Sequence, residues 1–453
     1  MAPAPRGWVP LTGADCFLRA FDDEIRRLGG ASHLSQCVLN LGPGFDPGAL
    51  EKLLHELAAR QPIVRAPIRR RAWLGAPGYA LSESPSCEPP RLTQHEAREP
   101  DPRGLPPAQV IARLNEPVSL RRGELLRFDV VRHADPARGS DVAATWAHML
   151  LDGAGSERFL LWLDECHRGL RSPAELPVPD ELAPPPPHAL GAGERGRRAR
   201  EWQRWMDRVA AHPLRSLAGP LRRVRQQLRY ELFTLPPAET QLAMQRAAAR
   251  AGFLTPMLFY LALAIRAHHA VFRARGVDPG SYVVPLPVNL RPKGREGAIF
   301  RTHTSLLWFH VLPGLVSDLD ALLDELKRQR REAIRSGQIE NGVFAMDFAR
   351  FAPRRLYARM ARSALRGELC SFFFAYTGEF GEGLDHFLGA PVRNGYHVAP
   401  VPASPGSCVA ISLFRGRLNL NHVFQEGVFS ERERALFERQ LRADMLGESP
   451  LLA

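Results

Sequence analysis

Apolar residues recur along this chain in two spacings, which predict helices and strands mixed from end to end. Phe17, Phe21, Ile25 and Leu28 lie three or four apart and predict a helix over 13–28. The apolar run 34–41 reads as a strand. Asp46 can cap a helix and Pro47 suits its first turn, so a helix is predicted over 46–60, with Leu50, Leu53, Leu54 and Leu57 on one face. Another helix is predicted over 107–115. Segments 126–132 and 142–151 read as the strands of a hairpin, because 134–141 between them has the Asp, Pro, Gly and Ser content of a turn. Beyond it, Gly153 to Gly155 opens a helix whose buried side carries Phe159, Leu160 and Leu163.

The pattern is then interrupted. Segment 172–189 is rich in proline, including Pro184 to Pro187, and reads as an extended crossover. It divides the chain into an N-terminal half, 1–172, a crossover, 173–193, and a C-terminal half, 194–453. Segment 194–229 holds eleven arginines against Glu194, Glu201 and Asp207, with Trp202, Trp205, Met206 and Val209 on one helical face. That face either packs on the body of the protein or meets a lipid headgroup layer or a substrate phosphate. Strands follow over 229–233, 282–288, 305–311, 370–375, 409–414 and 417–424. Helices are predicted over 257–273, after Thr255-Pro256 as cap and first position, over 318–336 and over 431–445. The fold class is α/β of the α+β type, with similar element content in both halves and no legible repeat.

Length and composition add bounds. With 453 residues, 45% of them hydrophobic, the chain can bury a core in each half. The formal charge of +12 favours anionic partners, among them nucleotide phosphates, acidic proteins and lipid headgroups. The six cysteines, Cys16, Cys37, Cys87, Cys166, Cys370 and Cys408, show no metal-ligand spacing and read as reduced thiols of a cytoplasmic protein. No signal peptide is expected. The most apolar run, 253–265, is too short to span a bilayer, while peripheral membrane contact stays open. Gly191 to Gly196 satisfies GxGxxG but follows a linker and not a strand, so no dinucleotide site is expected there. No Walker A string, HExxH or GxSxG is present, and no metal site is expected. The arginines are not interleaved with aromatics as in an RNA or DNA module, which argues against nucleic acid.

One string carries chemistry: Ala147-His148-Met149-Leu150-Leu151-Asp152-Gly153, between a predicted strand and a predicted helix. A neutral imidazole can accept a proton at physiological pH. A carboxylate four residues on can turn away, pair with an arginine and fix the loop. Alone, the string is equally compatible with a core histidine followed by an Asp-Gly turn. Of the other histidines, His303, His310, His397 and His422 lie in strand or loop contexts, where packed or surface roles are commoner; His303 and His397 are kept as pocket candidates.

The string resembles the HHxxxDG signature of the chloramphenicol acetyltransferase-like superfamily of acyltransferases. That group includes nonribosomal peptide condensation domains, wax ester synthase/diacylglycerol acyltransferases and polyketide-associated acyltransferases. The resemblance extends to most of the chain. LTGADCF at 11–17 is similar to the opening of the lipid acyltransferases, and RQPIVR at 60–65 to the RHxxLR segment of condensation domains. Segment 114–132 resembles the lead into the signature, and VNLRP at 288–292 the Asn-Leu-Arg segment of the second half. The chain departs from the pattern in three places. Ala147 replaces the first signature histidine, Thr302-His303 stands at the Gly-Asn pair of lipid acyltransferases, and Ala375 to Gly378 replaces a Ser-Asn-rich segment. The plant-type DFGWG motif is missing.

The resemblance implies two chloramphenicol acetyltransferase-like halves with mixed sheets around a central cleft or tunnel. It implies His148 as general base, Asp152 as structural aspartate and Gly153 as tight-turn glycine. Arg65 would pair with Asp152, and Arg291, with Asn289 beside it, would support the site from the second half. The implied activity is acyl transfer from acyl-CoA or an acyl carrier protein to an alcohol or amine. It needs no cofactor beyond the thioester substrate and suits a monomer. A non-catalytic member that binds an acyl ligand or carrier protein is the alternative, motivated by Ala147.

Overall fold

Residue chemistry at the chain's turning points accounts for where its elements begin. In a computed structural model of the chain, which describes residues 7–72, 75–96, 106–172, 190–219, 227–291 and 298–448, strand β1 is Trp8–Pro10 and helix α1 is Gly13–Arg27. Thr12 caps α1: its hydroxyl accepts the Asp15 N–H at 3.1 Å while the Asp15 carboxylate accepts the Thr12 N–H at 2.9 Å. Strand β2 is Leu34–Leu41, and Asp46 caps α2, Pro47–Arg60, with Pro47 in its first turn. Short strands β3, Ile68–Arg69, and β4, Gly78–Ala80, join β1 in a three-stranded sheet. Strand β5, Arg91–Glu96, and helix α3, Ala108–Leu114, lead to the hairpin β6, Leu126–Arg132, and β7, Ser140–Ala147. Helix α4 is Gly153–His167 and buries Phe159, Leu160 and Leu163.

The second half contributes α5, Ala192–Val209; β8, Leu228–Thr234; α6, Pro237–Ala251; α7, Pro256–Arg275; β9, Tyr282–Asn289; and β10, Thr304–Val311. It continues with α8, Leu319–Ser336; α9, Gln338–Ala349; α10, Arg354–Ser363; and β11, Phe373–Glu379. It closes with β12, His386–Phe387; β13, Ala390–Val398; β14, Ser407–Phe414; β15, Arg417–Gln425; and α11, Glu431–Leu446.

The sheets are mixed, as expected. The largest runs β12-β13-β2-β7-β6-β5, antiparallel except for the parallel pair β5–β6. A second runs β11-β14-β15-β8, with β11 parallel to β14. Strands β9 and β10 pair antiparallel, and Ser371, just before β11, exchanges hydrogen bonds with Val283 of β9. The two halves therefore share more than a crossover. Strand β13 comes from the C-terminal half yet pairs with β2, placing Tyr396 opposite Val38 and His397 opposite Cys37 in the sheet of the N-terminal half. Phe380, Phe387, Leu388 and Val392 are buried in the core of that first sheet.

The stretch Leu258 to Ile265 of α7 is apolar all round because it is enclosed, each residue 1% exposed or less, whereas Phe253 and Leu254 at the start of the same apolar run are exposed. Among the described residues no single helix is long and apolar enough to cross a membrane. The stripe on α5 takes the packing alternative. Met206 and Val209 are buried, Trp202 stacks on Trp205 at 5.4 Å and meets Trp308 at 5.7 Å, and Arg197 and Arg198 pair with Glu194. The proline-rich segment 173–189 and Pro292 lie outside the described residues.

Several elements differ from expectation, among them β11, which runs Phe373–Glu379 and not 370–375, and α9 and α10, which were not predicted. The second hairpin strand ends at Ala147 and not at 151, because the chain turns there and Leu150 donates its N–H back to the Ala147 carbonyl at 2.8 Å. Helix α6 was not legible because the face it buries is made of Thr240, Ala243, Ala247 and Ala251, too small to mark an apolar stripe. Strand β13 was not legible because Arg393, Asn394 and Gly395 interrupt its alternation. A side chain at Gly395 would place Cβ 2.3 Å from the Phe380 ring.

Candidate active site

Strand β7 lies between β2 and β6, so its end is held from both sides. Ala147 pairs with Leu34, donates its N–H to the Leu125 carbonyl at 2.9 Å and is 2% exposed within the first core. The next residue turns the other way. His148 is half-buried, its N–H reaches the His33 carbonyl at 3.3 Å, and its ring lies 5.8 Å from the His33 ring. Buried side chains brace the turn: Tyr79 donates to the Met149 carbonyl at 2.7 Å and Trp146 to the Leu151 carbonyl at 2.8 Å. His148 Nδ1 lies 3.4 Å from the same Leu151 carbonyl. Only a donor fits against a carbonyl oxygen, so the proton belongs on Nδ1 and the lone pair on Nε2. Burial pushes the His148 pKa below its usual 6.5, opposed by the Leu151 carbonyl and the Asp152 charge. The imidazole is therefore neutral and basic at Nε2 at physiological pH.

Asp152 is 3% exposed and caps α4. One carboxylate oxygen accepts the Gly155 N–H at 2.8 Å. The other accepts from Arg291 Nη1 at 2.8 Å, from the His303 N–H at 2.8 Å and from the Thr304 hydroxyl at 3.1 Å. Burial works against its charge, but Arg291 and these donors outweigh burial and hold the pKa below 3.8. Asn289 Oδ1 in turn accepts the Arg291 N–H at 3.0 Å. The expected partner, Arg65, is elsewhere: its guanidinium donates to the Cys87 carbonyl at 3.0 Å. Arg65 packs against the segments holding Cys87 and Gly123, whereas the Asp152 carboxylate faces Arg291 just after β9 and His303 and Thr304 at the start of β10.

Gly153, expected as the tight-turn glycine, directly follows the cap residue Asp152, and the glycine that close packing requires is Gly155. A side chain at Gly153 would meet only ordinary contacts at 3.9 Å or more. One at Gly155 would bring Cβ to 2.3 Å from the Ile299 carbonyl. Behind this contact, Arg301 holds φ at 77°, a conformation arginine rarely adopts. Its N–H donates to the Leu150 carbonyl at 2.6 Å and its guanidinium meets Asp15 at 3.3 Å.

Of the remaining histidines, the structure brings two to the site. His303 contributes its N–H to Asp152, and its ring turns to the Phe300 carbonyl at 3.1 Å. His397 reaches the first turn of α4 from β13, with Nε2 3.0 Å from the Ser156 hydroxyl. His310 packs against His212, and His422 is buried with His268 and Phe437. Sequence reasoning missed His33, Ser156 and Glu157. His33 had no signal, since its contact comes from β2 pairing with β7. Ser156 follows Asp152 by four residues, a helical spacing that could have pointed to it, whereas Glu157 carried no such signal. A cavity of about 410 Å³ opens between Gly29, Asn115 and Arg229, and neither His148 nor Asp152 lines it. Among the described residues no three His, Cys, Asp or Glu side chains gather as a metal would require.

No family model and no curated protein matches the chain. Solved structures do match over nearly its whole length. The first condensation domain of the CDA synthetase has a TM-score of 0.71 at 16% identity, covering 97% of this chain and 95% of its own. TRI3 trichothecene 15-O-acetyltransferase from Fusarium sporotrichioides has a TM-score of 0.66 at 13% identity, covering 98% and 97%. A mutant starter condensation domain of rhizomide synthetase RzmA, in complex with C8-CoA and Leu-SNAC, has a TM-score of 0.65 at 14% identity, covering 97% and 94%. The chain has the two-lobed condensation-domain fold.

Proposed function

We propose that the protein transfers an acyl group from a thioester to an alcohol or amine, with His148 as general base. The observation that carries this reading is the division of labour in the 148–152 turn. Asp152 spends both carboxylate oxygens on Gly155, Arg291, His303 and Thr304, so it orients the loop and relays no proton. Among the described residues His148 makes its side-chain hydrogen bond through Nδ1, turned to Leu151, which leaves Nε2 for the acceptor. Nε2 would take the acceptor proton as the acceptor oxygen or nitrogen attacks the thioester carbonyl. The protonated imidazole would then return that proton to the leaving thiolate. Donor and acceptor bound together need no covalent enzyme intermediate, and shared binding in attack geometry supplies much of the rate. Backbone N–H groups at the start of α4 are the candidate donors for the tetrahedral oxyanion.

Solved relatives in fold support the substrate class, since one is an acetyltransferase and another is held with C8-CoA and Leu-SNAC. The formal charge of +12 suits the phosphates of coenzyme A or the acidic surface of a carrier protein. Ala147 favours a second reading, a binding protein that transfers nothing. Against it, Ala147 is packed into the first core, away from the His148 ring, so its side chain is not one the transfer would use.

The test is His148→Ala in an assay of thiol release with a panel of acyl thioesters, alcohols and amines. Loss of a general base lowers turnover by about 10²-fold or more. Undiminished turnover overturns the role of His148. Tight acyl-CoA binding by the unaltered protein with no transfer to any acceptor decides for the second reading.

A further inference from the structure

Ser156, His397 and Glu157 meet beneath the first turn of α4. Ser156 is 1% exposed and donates its hydroxyl proton to the Gly153 carbonyl at 2.7 Å. Its oxygen can then only accept from His397 Nε2, 3.0 Å away, which puts the imidazole proton on Nε2. Among the described residues the buried His397 Nδ1 has no hydrogen-bond partner, and Glu157 Oε1 lies 3.7 Å from it. The other Glu157 oxygen accepts the Gly381 N–H at 3.0 Å. Such an orphaned imidazole nitrogen is costly unless it is used. The trio has the members of a nucleophilic triad, but Ser156 is buried and committed to Gly153, so it is no nucleophile.

We propose that these three residues form a proton-holding relay that positions the first turn of α4 for the reaction at His148, with His397 and Glu157 as positioning residues. The inference rests on the acyltransfer reading. The relay has two states. With Glu157 protonated, His397 carries its proton on Nε2 and Ser156 holds the Gly153 carbonyl. When Glu157 gives one proton to solvent, its carboxylate draws the His397 proton to Nδ1. Nε2 then accepts from Ser156, and the Gly153 carbonyl is released. The second state reverses the Ser156–His397 bond, gives up the Ser156–Gly153 bond and holds one proton fewer.

The surroundings favour the first state at neutral pH. Burial raises the Glu157 pKa to about 8, with Asp152 and Glu379 adding to the rise and Arg158 and the Gly381 N–H opposing it. Burial lowers the His397 pKa to about 4, opposed first by a hydrogen bond with the Gly153 backbone and then by Asp152, with His148 adding to the fall. Cys37 of β2, opposite His397, is a buried neutral thiol. Histidine 15N shifts in the ligand-free protein test the relay directly. His397 is expected as the Nε2–H tautomer at pH 7 and as the Nδ1–H tautomer above about 8, and Glu157→Gln should abolish the change. A Nδ1–H tautomer at pH 7, or a change that survives Glu157→Gln, overturns the proposal.

Kinetics provide the second arm. His397→Leu should lower kcat by up to about 10²-fold with little change in KM. His397→Gln, which keeps an N–H near the Nε2 position, should restore part of it. Glu157→Gln should flatten the alkaline fall of kcat. Equal rates for His397→Leu and His397→Gln, or an unchanged alkaline fall, count against the relay. If no acyl donor is turned over at all, the acyltransfer reading fails, and the tautomer experiment alone decides the relay.

Discussion

Two carboxylates five residues apart at the start of one helix, Asp152, buried, and Glu157, half-buried, fare oppositely. Asp152 meets a guanidinium and three further donors and stays ionised. Glu157 meets one backbone N–H and an imidazole nitrogen without a proton, and keeps its own proton up to about pH 8. Burial disfavours charge in both. The difference lies in what two strands distant in sequence present: Arg291 just after β9 to one, and His397 from β13, which pairs with β2, to the other. Charge at this site is therefore decided by residues far along the chain from α4.

The largest effect expected of breaking this contrast is at Arg291. Arg291→Met leaves the Asp152 charge buried and unpaired, which should cost about 3–5 kcal/mol of stability in denaturant unfolding. Adding Asp152→Asn should recover part of the loss. Strictly additive losses would show that the two side chains do not depend on each other.

The pH dependence of stability sharpens the contrast, because the two carboxyls should act with opposite sign. Asp152 has a folded pKa below its unfolded 3.8, so its contribution is present above that value and is lost as pH falls through the folded one. Glu157 binds its proton more tightly folded than unfolded, so its contribution is present below 4.5 and is lost as pH rises towards about 8. Each slope is bounded by about 1.4 kcal/mol per pH unit for one proton. Glu157→Gln should remove the loss between pH 4.5 and 8, and Asp152→Asn the loss in acid. Parallel slopes in the two variants would sink the comparison.

The smallest effect belongs to Arg65. Arg65→Ala forfeits its hydrogen bond to the Cys87 carbonyl, worth about 1 kcal/mol. In an Arg65→Ala, Asp152→Asn double mutant the losses should add. Coupling as large as that of Arg291 would restore Arg65 as the partner.

Much of the frame was legible where the signal is local. The predicted strand over 34–41 coincides with β2, and Asp46 with Pro47 opens α2 as their chemistry predicts. The hairpin β6–β7 was legible from its turn composition. The proton-accepting candidate was located at the end of β7 because an apolar run met an Asp-Gly pair. What was not legible depended on contacts far apart in sequence. Arg65 stood in the expected segment, yet the Asp152 partner lies 139 residues away. His397 lies 241 residues from Ser156, on a strand whose polar residues hid its pairing with β2. Gly155 had the same appearance in sequence as Gly153, and only the Ile299 carbonyl pressing on it separates the two.

The sequence by itself determined the mixed α/β character, the elements around the site, and the order strand end, histidine, capping aspartate, helix. These follow from side-chain periodicity and capping, which act within a few residues of chain. The tertiary structure decided which arginine neutralises Asp152, which strand completes the first sheet, and which carboxyl keeps its proton. Those outcomes depend on which groups distant in sequence come within hydrogen-bond or ion-pair reach, and charge in a low-dielectric interior is set by such neighbours and not by position in the chain.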